Sequence, residues 1–206
     1  NLIKNEVYAF KIGYEFFLNF GISGYNKIKN ISPNIFLDLK LHDIPNTVKN
    51  GVAAINKLNP ILTTIHVSGG DEMMKCSILS KRKTKILGVS ILTSLNRSQI
   101  IKYYNEANIN NLVKKFAKQA KKNKLDGLVC SPKEIPIVRQ EVGKNFLIVT
   151  PGIRPDNMRN NTDDQKRTMS PKKAIELGAS LLVIGRPITS AKNPLKELLN
   201  INSTLI

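Results

Sequence analysis

The feature that most constrains this chain is an alternation of two kinds of segment. Short apolar runs fall at residues 7–13 (VYAFKIG), 34–40 (NIFLDLK), 61–67 (ILTTIHV), 85–92 (KILGVSIL), 126–130 (DGLVC), 146–150 (FLIVT) and 181–185 (LLVIG). Between most of them stand helix-like stretches, such as 45–57, 109–123 and 171–178. The last opens on Ser170 with Pro171 at its first turn and closes on Gly178, the start and stop chemistry of a helix. Strands alternating with helices imply βαβ units and a parallel sheet. With 206 residues, the chain is long enough for one sizeable core.

A closed (β/α)8 barrel needs one strand more than these seven runs supply. Residue Asn1 also opens in what reads as the end of a helix. The expectation is therefore an α/β fold of the (β/α)8 TIM-barrel type, forming a single domain over residues 1–206. Its first strand and most of its first helix are expected to be missing from this chain. An open doubly wound sheet is the alternative, but no G-x-G-x-x-G turn for a dinucleotide is present.

Composition narrows the function classes. Hydrophobic residues make up 41% and charged residues 23%, an ordinary globular balance, and no apolar run nears the roughly 20 residues of a membrane-spanning helix. The two cysteines, Cys76 and Cys130, have no metal-ligand spacing and read as reduced thiols of a cytosolic protein. Nor do the scattered His42 and His66 form a metal motif. A net charge of +17 permits nucleic-acid binding, membrane-surface binding or attraction of an anionic ligand. The lysines lie mainly where amphipathic helices face water, as in 114–124 (KKFAKQAKKNK). A solvated face that steers a phosphorylated ligand is the expected reading.

Residues 36–48 (FLDLKLHDIPNTV) put charge where burial is most costly. Side chains alternate along a strand, so Phe36, Asp38 and Lys40 share one face and Leu37, Leu39 and Leu41 the other. In a barrel the leucines pack against helices, and Asp38 and Lys40 point inward at the strand's C-terminal end, where barrel enzymes carry their chemistry. Lys11 holds a similar place in the first run. Burying such ions costs several kcal/mol each unless they are closely paired. Asp38, Asp43, Lys11 and Lys40 balance two anions against two cations. A structural ion pair closing the barrel mouth is the plainer alternative to an active site.

Other strand ends point the same way. HVSGG (66–70) carries paired glycines, and ILTS (91–94) places Thr93 and Ser94 within reach of a ligand. TPGIRP (150–155) and VIGRP (183–187) end the last two runs, where this fold usually binds phosphate, and each supplies an arginine. The stretch 154–171 between them is long and polar, the profile of a mobile lid.

Taken in order, FLDLKLHDIPNTV, HVSGG, LTS, LDGLVCS, VTPGIRP, DQKRTMSP and VIGRPIT resemble the orotidine 5′-phosphate decarboxylases of the bacterial kind. The D-x-K-x-x-D core is shared with related sugar-phosphate enzymes, whereas the HDIPNT extension and the two arginine segments are more specific. The resemblance implies a dimeric barrel that converts orotidine 5′-monophosphate to UMP and CO2 in de novo pyrimidine synthesis, in the cytoplasm, with no metal and no organic cofactor. It implies that Lys40 protonates C6 of the pyrimidine within a network of Lys11, Asp38 and Lys40. Asp43, Ile44 and Thr47 would complete the site of the partner subunit, and Pro45 would bind substrate. Thr93 would contact the pyrimidine, and Arg154, Gln165, Gly185 and Arg186 would hold the phosphate. The family also carries a ribose-binding aspartate on its first strand, and no residue here matches it.

Three rivals remain at this level. A sister decarboxylase acting on a sugar phosphate such as 3-keto-gulonate 6-phosphate would need a metal. A basic nucleic-acid binder on a barrel scaffold would leave Asp38, Lys40 and Asp43 unexplained. A catalytically dead barrel would serve only as a dimerisation partner. Membrane association is not expected.

Overall fold

The computed structural model describes residues 2–155 and 168–205. All seven apolar runs contain strands: β1 (Phe10–Ile12), β2 (Ile35–Leu41), β3 (Leu62–His66), β4 (Lys85–Val89), β5 (Gly127–Val129), β6 (Leu147–Thr150) and β7 (Leu181–Leu182). They form one sheet in the order β1-β2-β3-β4-β5-β6-β7, every neighbouring pair parallel. Each connection crosses over through helix, and the sheet curls toward a barrel with β1 and β7 as its edges among the described residues. Residues 2–5, expected to end a helix, form a turn instead, with the Glu6 N–H on the Ile3 carbonyl (3.1 Å).

The helices are α1 (Tyr14–Ile31), α2 (Pro45–Leu58), α3 (Asp71–Ser80), α4 (Arg97–Tyr104), α5 (Ile109–Lys122), α6 (Ile135–Val142), α7 (Pro171–Glu176), α8 (Arg186–Thr189) and α9 (Pro194–Ser203). α5 shows why the basic runs sit where they do. Leu112, Val113, Phe116, Ala117 and Ala120 are buried at helical spacing, while Lys115, Lys118, Lys121 and Lys122 stay exposed. Glu141 of the neighbouring α6 meets Lys114 and Lys118 of α5, each at 3.5 Å.

The core has two layers. Phe36, Leu62, Leu87 and Val149 pack together inside the curl of the sheet. Leu37 and Ile35 face outward with Ile12, Tyr25 and Ile55, and Ile65, Ile86, Leu128 and Ile148 join a larger cluster under α2, α3, α5 and α6. β2 thus splits as its alternation requires, with Phe36 inside and Leu37 outside. Strands buried on both faces read as nearly continuous apolar runs, so the polar residues within them stand out.

Candidate active site

β2 does not run straight to its end. Phe36 pairs with Leu62 and Leu37 with Thr63, but the next pairing is Leu41 with Ile65. Four steps on β2 therefore match two on β3, a bulge over Asp38, Leu39 and Lys40. Lys40 takes a positive φ of 44°, uncommon for a residue with a side chain and concentrated at functional positions. The expected inward pairing of Asp38 and Lys40 is present, yet a bulge brings it about as well as simple alternation.

Three hydroxyls serve the backbone around this bulge. Thr63 Oγ1 donates to the Leu37 carbonyl (2.9 Å), Tyr14 OH to the Leu39 carbonyl (2.5 Å), and Thr64 Oγ1 accepts the Lys40 N–H (2.9 Å). Thr64 Oγ1 also donates to Asp38 Oδ1 (2.9 Å). The other carboxylate oxygen, Oδ2, meets Lys40 Nζ at 2.8 Å and Lys11 Nζ at 3.4 Å. Asp38 is buried at 7% exposure. Burial opposes its ionisation, but the Lys40 ammonium, then Lys11 and the Thr64 hydroxyl, outweigh it and hold the carboxyl below its ordinary value. Tyr14 shifts the opposite way: burial and the Asp38 charge raise its phenol, so it remains a donor.

These groups form one wall of a cavity of about 280 Å3 at the C-terminal ends of the strands. The other walls come from Ile91, Leu92 and Thr93 after β4, Val129 at the end of β5 with Cys130 after it, Gly152 and Arg154 after β6, and Gly185 and Arg186 after β7. An apolar lining with a few convergent polar groups is what a small-ligand site requires. Arg154 is buried, its Nη1 on the Ile153 carbonyl (2.9 Å). Its segment is pinned to Met169 by paired backbone bonds, Arg154 N–H to the Met169 carbonyl (2.9 Å) and Met169 N–H to the Gly152 carbonyl (3.2 Å). Burial pushes the Cys130 thiol well up, so it lines the cavity as a neutral group rather than a nucleophile.

The structure thus brings together Lys11, Asp38, Lys40, Thr93, Arg154, Gly185 and Arg186. Asp43, Ile44, Pro45 and Thr47 do not line this cavity: Asp43, Ile44 and Thr47 are exposed and Pro45 is half-buried. The Ile44 N–H donates to Asp43 Oδ1 (2.6 Å). Gln165 and most of the 154–171 lid stretch lie outside the described residues. Sequence reasoning missed Thr64, Tyr14 and His66. His66 stacks on His42 with ring centroids 5.0 Å apart, and burial, His42 and Lys40 lower its imidazole to about 4. The available signal was the pair Thr63–Thr64, two hydroxyls inside an otherwise apolar run beside the charged strand. Among the described residues no cluster of three or more His, Cys, Asp or Glu is arranged to hold a metal.

The chain is similar to known proteins over most of its length. Residues 1–201 match the family model described as orotidine 5′-phosphate decarboxylase / HUMPS family. A relative from Wolbachia pipientis subsp. Culex pipiens (strain wPip), named orotidine 5′-phosphate decarboxylase, is 46% identical over 196 residues, covering 94% of this chain and 85% of its own. One of the same name from Staphylococcus saprophyticus subsp. saprophyticus is 44% identical over 195 residues, covering 92% and 84%. The crystal structure of orotidine 5′-phosphate decarboxylase from Lactobacillus acidophilus superposes with a TM-score of 0.80 at 37% identity, covering 95% of this chain and 85% of that one. With these likenesses over a curled parallel sheet of the TIM-barrel kind, the chain belongs to the orotidine 5′-phosphate decarboxylase / HUMPS family and is an enzyme of the decarboxylase kind.

Proposed function

We propose that this chain converts orotidine 5′-monophosphate to UMP and CO2, and that it does so without metal or organic cofactor. The observation that carries the reading is the Lys11–Asp38–Lys40 network, built into one wall of a cavity that Arg154 and Arg186 also line. Loss of CO2 breaks the bond between C6 and the carboxylate carbon and leaves the electron pair on C6. The Lys40 ammonium stabilises that developing charge and then gives C6 a proton, so one residue supplies both electrostatic and acid catalysis. Asp38 Oδ2 holds the ammonium in place. Its negative charge also opposes the substrate carboxylate in the ground state and not the neutral CO2 that leaves.

The phosphate belongs with Arg154, Gly185 and Arg186, joined by Gln165, and the pyrimidine with Thr93. Among the described residues, no atom beyond Gly185 and its chain neighbours lies within 4 Å of where a Cβ would stand there, which leaves that side open to a ligand. Binding energy gained at the phosphate, far from C6, helps hold the ring for reaction. The enzyme works as a homodimer in which Asp43, Ile44 and Thr47 reach the partner's cavity, and Pro45 helps bind substrate. The exposure of Ile44, 67%, supports that role, since a large apolar side chain in solvent fits an interface. A cytoplasmic place in UMP synthesis, with no nucleic-acid or membrane partner, completes the reading. No described helix is long and apolar enough to cross a membrane.

The test follows the absorbance of orotidine 5′-monophosphate in EDTA with the wild-type chain and Lys40→Ala. Turnover that survives the chelator and falls roughly 10²- to 10⁴-fold or more in the variant is expected. No turnover by the wild type, turnover abolished by EDTA, or full activity in Lys40→Ala overturns the reading.

A further inference from the structure

Lys40 sits at a backbone position that a strand does not ordinarily offer. The bulge over residues 38–40 and the φ of 44° at Lys40 depart from the β geometry of the preceding residues. Left to the strand ladder, this segment would have no regular partners on β3. Thr64 meets it from β3, completely buried, and uses its one hydroxyl twice: it accepts the Lys40 N–H and donates to Asp38 Oδ1, each at 2.9 Å. The oxygen therefore ties the backbone of the lysine to the carboxylate that holds its ammonium. Backbone and side chain of Lys40 are fixed against the same atom, one directly and one through Asp38 Oδ2.

We propose that Thr64 is a positioning residue for the decarboxylation, its hydroxyl locking the Lys40 backbone and the Asp38 carboxylate to each other and so setting where the ammonium meets C6. The inference rests on the decarboxylase reading above. It needs no contact between Thr64 and substrate, and Thr64 does not line the cavity. A reacting geometry displaced by even about 1 Å costs on the order of 100-fold in rate, so a clamp one residue deep in the wall has leverage on turnover. The charged and titratable groups around Asp38 are Lys11 of β1, Tyr14 of α1, Lys40 of its own strand and His66 of β3. Thr64 itself does not titrate, which leaves its effect readable against theirs. Its hydrogen bond favours the ionised form of Asp38.

Wild type, Lys40→Ala, Thr64→Val and Thr64→Ser separate the possibilities. Valine keeps the shape and removes the hydroxyl, whereas serine keeps the hydroxyl. With orotidine 5′-monophosphate, kcat of Thr64→Val is expected to fall roughly 10- to 100-fold, KM to change much less, and Thr64→Ser to recover most of the loss. Carbon-13 NMR of the Asp38 carboxyl is read on the same proteins without substrate. Its titration midpoint rises in Thr64→Val and stays near wild type in Thr64→Ser. Either a wild-type kcat in Thr64→Val or an unmoved Asp38 midpoint overturns the inference. A wild type that fails to turn over refutes the decarboxylase instead, and the carboxyl titration then still decides whether Thr64 holds Asp38. If Thr64→Val does not fold, Thr64→Cys, a weaker donor of similar size, takes its place with a smaller loss and a smaller rise expected.

Discussion

At the scale of single residues, the cavity wall is an arrangement of unequal charges. Asp38 is one carboxylate facing two ammonium groups, which is why it stays ionised although buried. His66 shows the reverse outcome, held neutral by burial and by the cationic neighbours around it. Its imidazole takes up a proton near pH 4 in the folded chain, against 6.5 when unperturbed. Between these values the unfolded chain binds more protons than the folded one, so stability falls as pH falls. The contribution is whole above 6.5 and is lost progressively down to about 4. Chemical denaturation across this range should show that slope, and His66→Gln should flatten it. Asp38, whose folded value lies below the ordinary carboxylate one, weakens the fold only at still lower pH, as it protonates. An unchanged slope in His66→Gln would assign the loss to other groups.

Single elements show how local chemistry ends where tertiary demands begin. α5 closes with the Lys124 N–H on the Lys121 carbonyl and the Leu125 N–H on the Ala120 carbonyl, both at 3.0 Å. This is the paired 5→2 and 6→1 pattern that caps a helix, with buried Leu125 as its apolar anchor. Its left-handed residue is Lys124, at φ 60°, where glycine is the relaxed choice. Lys124→Gly should therefore stabilise the chain by about 1 kcal/mol, raising Tm by roughly 2–4 °C. A thermal melt that shows no gain would mean the Lys124 side chain carries compensating contacts. α1 uses its glycine as that argument expects, since Gly21, at φ 56° and ψ −151°, kinks the helix in a region open only to glycine. β2 is different. Its ends and apolar face were legible, but its bulge was not, because a register depends on the neighbouring strand.

Across the whole molecule, charge and assembly become testable. The net charge of +17 sets a positive field for a phosphorylated substrate, and salt screens it beyond about 10 Å at 0.1 M. KM for orotidine 5′-monophosphate should rise several-fold from low salt to about 0.5 M while kcat changes little. A flat KM would leave the lysines as a solvated face with no steering role. If Asp43 completes the partner's cavity, Lys40→Ala and Asp43→Asn chains, each inactive alone, should regain activity when mixed. One site of the hybrid dimer then receives both intact residues. Mixtures no more active than their components would place Asp43 outside the partner's cavity.

The sequence alone determined the number and order of the described strands, their parallel pairing, and the presence of charge on the inner face of β2. Those follow from local periodicity: an apolar run buried on both faces stands out wherever Asp or Lys interrupts it. It also marked Lys11, Thr93, Arg154, Gly185 and Arg186 as strand-end residues, and the cavity collects all five. Only the tertiary structure decided that β2 slips by two residues against β3, that Lys40 takes a left-handed backbone, and that Thr64 and Tyr14 serve the bulge. Each depends on a partner 24 or more residues away in the chain. A hydroxyl in a strand looks alike in sequence whether it fills space or bridges a carboxylate to a lysine's backbone. Which it does depends on the register of two strands, a property of their packing and not of either strand by itself.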